Sequence, residues 1–305
     1  PTGEISAGAG AGTSGTQISF GIIEKNYAGT GVKLDTSFLI SDTTLRGKFS
    51  VNNPNYKNSD RSLRTTLEST NTDQMSNFGY ETTRTGVSFG TTYEQFRDVY
   101  FSPSFSNYYE RLKTSSKASS TKKKQEGSYF DSEFSYGLSL NRLNQRYQPT
   151  DGYKSTFYQS LPLVSDDYAL DSSYEYSKFI SPNESVVFNV SVFARAINSL
   201  NDKNVRVSKR VFVPGKKLRG FEFGRIGPLD GGEFIGGNYG SAINFATRFP
   251  RLLPELQNVD FSIFLDAANV WGVDYNESLD NSKIRSSTGL SVNWFTPIGP
   301  LSFSF

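Results

Sequence analysis

The chain has 305 residues, of which 36% are hydrophobic and 14% aromatic, and a formal net charge of +2. It is too aromatic for a disordered chain, too poor in helix-forming residues for a helical one, and too weakly charged to predict a nucleic-acid partner. It contains neither His nor Cys, which excludes Ser–His–Asp and Cys–His catalysis and removes the usual zinc ligands. We expect no enzyme activity, no cofactor and no metal site.

Apolar and polar residues alternate through most of the chain. Residues 130–140, 186–196 and 259–267 each place apolar side chains at every second position, with polar ones between them. This period is typical of strands with one apolar face. Turn-forming segments separate many such runs. The predicted strands cover residues 2–12, 15–26, 30–41, 43–53, 61–72, 79–93, 95–111, 128–147, 152–162, 168–180, 185–199, 236–249, 258–271, 284–296 and 299–305.

These strands predict an all-β fold, a transmembrane antiparallel β-barrel. No apolar run reaches the roughly 18 residues of a membrane-spanning helix, and the mean hydropathy of −0.46 suits a barrel whose strands face lipid on one side only. A soluble β-sandwich or lipocalin-like barrel would show the same alternation. The strand number favours the membrane, because fifteen strands are too many for one small soluble barrel. Bacterial single-chain outer-membrane barrels close with an even number of strands. Fifteen predicted strands therefore indicate about 15 of an expected 16.

Tyrosines near predicted strand ends also favour the membrane, since aromatic girdles mark the two interfaces of outer-membrane barrels. The residues concerned are Tyr93, Tyr100, Tyr108, Tyr109, Tyr147 and Tyr153.

The first strand is rich in glycine. Gly10, Gly12 and Gly15 match GxGxxG, but a dinucleotide site needs a helix after that motif, and here a strand pattern follows. A strand with few side chains pairs weakly. Gly8, Gly10 and Gly12 are therefore candidates for a lateral seam that opens, and a glycine kink at a barrel corner is the alternative.

A long glycine-rich segment, residues 216–238, interrupts the alternation. Within it, Leu218, Arg219, Gly220 and Phe221 resemble the (V/L)RG(F/Y) motif in the long loop of BamA-type outer-membrane assembly and translocation barrels. The similarity is strong over about the last hundred residues and weaker before them. It is carried by residues 212–228, 236–238, 264–271 and 293–305.

The resemblance implies a site. In that family the loop folds into the lumen and its arginine meets acidic groups on the wall. Alternation places Asp266 and Asn244 on inward faces, so Asp266 is the expected partner of Arg219. Asn244 stands where the family has a second acid, so we expect a weaker clamp or a different second contact.

The resemblance also implies a function. It predicts an insertase that folds outer-membrane proteins at a seam between its first and last strands, in a bacterial outer membrane. Expected partners are unfolded outer-membrane proteins, accessory assembly lipoproteins and outer-membrane lipid, with no nucleic acid. Residues 1–305 would form one barrel domain, with the family's POTRA domains and final strand absent. The alternatives are a TamA-like factor, a two-partner secretion translocator or a passive porin-type channel.

Overall fold

The computed structural model describes residues 2–12, 15–250, 252–253, 255, 258–296 and 299–305. Helical structure in these residues is confined to the turn α1 (Ser120–Lys123) and to 3₁₀ turns at Tyr56–Asn58, Val207–Lys209, Gly215–Lys217 and Glu277–Leu279. No helix in this part of the chain has the length and apolar character needed to cross a bilayer.

The remaining elements are strands. Their bounds are β1 (Gly3–Gly12), β2 (Gly15–Tyr27), β3 (Val32–Ser41), β4 (Thr44–Asn53), β5 (Ser62–Gln74), β6 (Tyr80–Phe96), β7 (Val99–Thr114), β8 (Gly127–Asn141), β9 (Gly152–Ser165), β10 (Ala169–Asn183), β11 (Val186–Ser199), β12 (Leu229–Asp230), β13 (Glu233–Phe234), β14 (Tyr239–Phe249), β15 (Val259–Trp271), β16 (Arg285–Thr296) and β17 (Gly299–Ser304).

Fifteen of the described strands form one antiparallel sheet, in which each strand pairs with its neighbour in sequence. The exception is the long loop, residues 200–238, which contains the small hairpin β12–β13 and returns the chain from β11 to its neighbour β14. The prediction of an all-β antiparallel fold with fifteen strands is confirmed. Among the described residues, β1 pairs only with β2, and β17 only with β16.

The sheet has an apolar outer face and a polar inner face. Large apolar side chains are exposed on the outer face, among them Phe20, Leu67, Phe105, Phe245 and Leu265. Adjacent residues of a strand point to opposite faces, so the tyrosine pair at 108 and 109 is split. Tyr109 is exposed, whereas the Tyr108 ring lies 3.8 Å from the Arg84 guanidinium carbon and lines an inner cavity with it. The assignment of Tyr108 to an outer girdle is therefore wrong.

One strand prediction was too long. The predicted strand 128–147 ends as β8 at Asn141, because the next residues form a turn closed by a side chain. Asn144 Oδ1 accepts the backbone N–H groups of Thr150 and Asp151 at 3.1 and 3.2 Å. Asparagine commonly stabilises turns in this way.

The buried apolar core lies between the long loop and the inner face of the sheet. One cluster joins Leu218 and Ile226 of the loop to residues of β11, β14 and β15, including Phe193 and Val270. A second joins Val207 of the loop to Phe78 and to residues of β6 and β7. The loop therefore packs against the inner face of the sheet at both clusters.

Candidate functional site

The candidate site is the loop lock, residues 218–221, seated on the inner face of β14, β15 and β16. Leu218 anchors it as a buried member of the first apolar cluster, and Phe221 packs against the same cluster. Gly220 has φ +81, a left-handed conformation that glycine adopts without steric cost. This turn directs the side chain of Arg219 toward the wall.

Arg219 and Asp266 make a two-pronged contact. Arg219 Nε donates to Asp266 Oδ2 at 2.7 Å and Nη2 donates to Oδ1 at 2.7 Å. The backbone N–H of Arg219 also donates to Oδ2 at 3.0 Å. Forked, charge-assisted contacts of this kind are among the stronger hydrogen bonds in proteins. Asp266 is 0% exposed, so water does not compete for its carboxylate.

Aromatic and hydroxyl groups complete the surroundings of Arg219. Its guanidinium carbon lies 3.7 Å from the centre of the Phe264 ring, a favourable cation–π distance. Phe264 and Asp266 are two residues apart on β15 and share its inner face. Arg219 Nη1 donates to Ser291 Oγ of β16 at 3.4 Å. The side chain of Arg219 therefore contacts two adjacent wall strands, β15 and β16.

Asn244 contacts Asp266 rather than Arg219. The two residues are register partners on β14 and β15, and Asn244 Nδ2 donates to Asp266 Oδ1 at 2.9 Å and to the carbonyl of Lys217 at 2.8 Å. A carboxylate at position 244 would face a second carboxylate directly across the ladder, where like charges are destabilising. The amide instead ties the wall to the loop backbone.

A polar cavity of about 670 Å³ borders the lock. Its lining includes the cations Lys154, Lys216, Lys217 and Arg219 and the carboxylate Glu175. Lys217 Nζ donates to Glu175 Oε2 at 3.2 Å. The side chain of Arg219 is 22% exposed toward this space, so Arg219 can reach water without crossing an apolar barrier.

The predicted seam residues lie on β1, at one edge of the sheet. Gly8 opposes Ser19 and Gly10 opposes Gln17, and the backbone of Gly12 opposes Gly15. A Cβ added at Gly10 would lie 3.6 Å from its nearest atom, Gln17 Cγ, which is ordinary contact. Close packing therefore does not require glycine at position 10.

Sequence reasoning missed a second charged site in the loop. Arg206 lies against Asp131 of β8, with Nη2 donating to Oδ2 at 2.7 Å. Burial alone would lower the pKa of Arg206, but Glu110, Asp131 and Asp167 together raise it, so the guanidinium stays charged. The available signal was the basic run at residues 206–210 together with inward acids on β8.

The sequence of this chain is similar to those of known outer-membrane assembly proteins. The family model described as the Omp85 superfamily domain matches residues 26–305. The outer membrane protein assembly factor BamA of Neorickettsia risticii is 29% identical over 185 residues, which cover 59% of this chain and 25% of that protein. BamA of Neisseria meningitidis is 24% identical over 350 residues, covering 96% of this chain and 42% of that protein.

A solved structure shows the same fold. BamA from Haemophilus ducreyi lacking POTRA domains 1–3 matches with a TM-score of 0.91 at 23% identity, covering 100% of this chain and 66% of that one. The chain thus spans a quarter to about two thirds of the length of these three proteins.

Proposed function

Because this chain belongs to the Omp85 superfamily, as a BamA-type barrel protein of the bacterial outer membrane, we propose that it folds and inserts β-barrel proteins into that membrane. The observation that carries the proposal is the seating of the loop lock. The contact between Arg219 and Asp266 fixes the long loop against the inner face of the barrel wall. Such a contact suits a barrel whose function depends on the position of that loop.

The proposed mechanism uses the edge strand β1 as a template. An unfolded client strand would add to the unpaired side of β1 by β-augmentation, in which backbone hydrogen bonds supply affinity. An exposed edge is usually a hazard for a protein, and here it would be the working surface. The small residues of β1, GEISAGAGAG, suit a seam that opens and accepts many different partners.

The proposed partners are unfolded outer-membrane proteins, accessory assembly lipoproteins and outer-membrane lipid. The barrel would act without enzymatic chemistry. It would order the strands of the client protein and lower the free-energy barrier to their insertion. The chain has no His and no Cys, and the Asp and Glu residues that the structure describes form no group of three or more that could hold a metal ion.

Reconstituted insertion tests the proposal. The full protein, embedded in vesicles, is mixed with a urea-unfolded barrel client, and client folding is followed by heat-modifiable gel mobility. We expect faster folding than in empty vesicles, and a clear reduction for Arg219→Ala. Arg225→Ala is the matched control, since Arg225 lies in the same loop, pairs with exposed Glu222 at 3.5 Å and lies 6.0 Å from the centre of the Phe234 ring.

Three results would overturn the proposal. Client folding at the rate of empty vesicles would remove the insertase function. Size-selective solute flux without any folding activity would favour the porin-type channel, and secretion of an unfolded soluble partner would favour the translocator.

A further inference from the structure

The first part of the long loop is fixed by a buried ion cluster on strands β7 and β8 and the β9–β10 turn, which are not the strands that hold the lock. Arg206 Nη2 donates to Asp131 Oδ2 at 2.7 Å and to Asp167 Oδ1 at 3.0 Å, and Arg206 Nε lies 3.6 Å from Glu110 Oε1. The Tyr129 ring covers the guanidinium at 4.0 Å. Arg206 is 2% exposed and Asp131 0%, so water does not screen these charges.

Lys209 adds a second cation to the same carboxylates. Its Nζ donates to Asp131 Oδ1 at 2.9 Å and to Asp167 Oδ1 at 3.2 Å, and lies 3.8 Å from Glu133 Oε1. The cluster, here called the root anchor, thus joins Arg206 and Lys209 to carboxylates of β7, β8 and the β9–β10 turn. Removing either cation would leave one cation in place of two among these buried carboxylates, and losing a partner of a buried ion pair is destabilising.

Further contacts tie the same segment to the β15–β16 loop. The backbone N–H of Val205 donates to Asp274 Oδ2 at 2.7 Å, and Arg210 Nη2 donates to the same carboxylate. Arg210 also lies 5.0 Å from the centre of the Tyr275 ring. Residues 205–210 are therefore held from two sides.

The lock differs from the root anchor in two respects. Arg219 uses a single carboxylate, and its side chain is 22% exposed, whereas that of Arg206 is 2% exposed. Arg219 borders the 670 Å³ cavity, and Lys209 of the root anchor borders another polar cavity. After release, Arg219 would be hydrated in the cavity that it borders, and Asp266 would keep the donor Asn244 Nδ2 at 2.9 Å. Opening the lock is thus less costly than opening the root anchor.

We infer that the long loop is held at two sites that open separately: Arg206 and Lys209 keep its first part fixed, while the Arg219–Asp266 lock opens and closes. Arg206 is then a positioning residue, which sets how far the lock can travel. The roughly ten residues from Lys209 to Arg219 can span at most about 35 Å, which limits how far the released lock can move. The link to insertion rests on the proposed function, but the two-site behaviour does not.

Cysteine labelling separates the two sites, because the chain has no cysteine of its own. One reporter is Val207→Cys, next to Arg206 of the root anchor. The other is Ile226→Cys, in the apolar cluster that contains Leu218 of the lock. Both positions are buried. Maleimide labelling rates are measured in the folded, membrane-embedded full protein, with heat-modifiable mobility confirming an intact barrel. Each reporter is combined with Arg219→Ala, Arg206→Ala and the control Arg225→Ala.

Arg219→Ala should speed labelling at position 226 about a hundredfold, the change that corresponds to losing one partner of a buried ion pair, and leave position 207 unchanged. Arg206→Ala should speed labelling at position 207 by at least as much, and Arg206→Lys should restore part of the protection. If Arg206→Ala does not fold, Lys209→Ala serves in its place, with the same direction expected.

Equal acceleration of both reporters by Arg219→Ala would show that the loop leaves as one piece, and would overturn the inference. Unchanged labelling at position 207 in both Arg206→Ala and Lys209→Ala would overturn it as well. Because labelling needs no client, these outcomes are independent of the insertion assay. Reduced insertion by Arg206→Ala, with Arg225→Ala unaffected, would add support for its positioning function.

Discussion

Replacing Arg219 by Ala removes the forked contact to Asp266 and the cation–π contact to Phe264. Losing one partner of a buried ion pair costs about 3–5 kcal/mol. The lower end applies here, since Asp266 retains the donors Asn244 Nδ2 at 2.9 Å and the backbone N–H of residue 219 at 3.0 Å. We expect Arg219→Ala to lower the free energy of unfolding by about 3 kcal/mol.

Asp266→Ala should be milder than Arg219→Ala, because the freed guanidinium borders the polar cavity and becomes hydrated. Once both groups are gone, no unpaired charge remains. The double variant should therefore lose less than the sum of the single variants, with a coupling free energy of about 1.5–3 kcal/mol. Arg225→Ala, which removes an exposed pair with side chains 40% and 58% exposed, should cost below about 1 kcal/mol.

Urea unfolding in detergent micelles measures these quantities, with the fluorescence of Trp271 and Trp294 as the signal. Arg219→Lys is an informative fifth variant, since it keeps the charge but loses the planar fork, and should fall between wild type and Arg219→Ala. Additive losses in the double variant, within about 0.5 kcal/mol, would refute the reasoning that the two groups stabilise the loop through each other.

Three further changes test separate parts of the site. Asn244→Asp turns two donated hydrogen bonds into repulsions and should lower the free energy of unfolding by about 1–3 kcal/mol; a gain in the same urea titration would mean that Arg219 shifts to share two carboxylates. Gly220→Ala should cost about 1–2 kcal/mol through its left-handed backbone alone, because the added Cβ meets only Ser287 Cβ at 3.9 Å; a crystal structure with unchanged φ checks the cause. Gly10→Val should slow client insertion without lowering barrel stability, since β-branched residues strengthen strands; unchanged insertion rates would argue against a weakly held seam.

Much of the fold could be predicted because alternation is a local signal. The predicted strand 258–271 is observed as Val259–Trp271. The prediction succeeds because successive side chains of a strand point to opposite faces, so that an apolar outer face and a polar inner face produce an alternating sequence. The same signal placed Asp266 inward. It could not end β8 at Asn141, because a side-chain hydrogen bond across a turn decides that boundary.

The charged contacts of the loop were less predictable. Arg219 was found through its motif, and its partner through the face on which Asp266 lies. Arg206 meets Asp131 at a sequence separation of 75 positions, and Asp167 of the same cluster lies in a turn, where alternation carries no information. Such partners depend on how the loop folds back on the wall, which is a property of tertiary structure.

Direct cross-linking of a client to β1 tests the central claim most directly. Ala9→Cys places a thiol on the exposed face of β1, and Leu138→Cys places one on the exposed face of β8, far from the edge. Each variant is mixed in vesicles with an unfolded barrel client that carries one cysteine in its edge strand, and disulfides are trapped during insertion.

We expect a cross-link at position 9 that forms early and disappears as the client completes folding, and none at position 138. Insertion that proceeds at the normal rate with no cross-link at position 9, or with equal cross-linking at both positions, would contradict templating on β1.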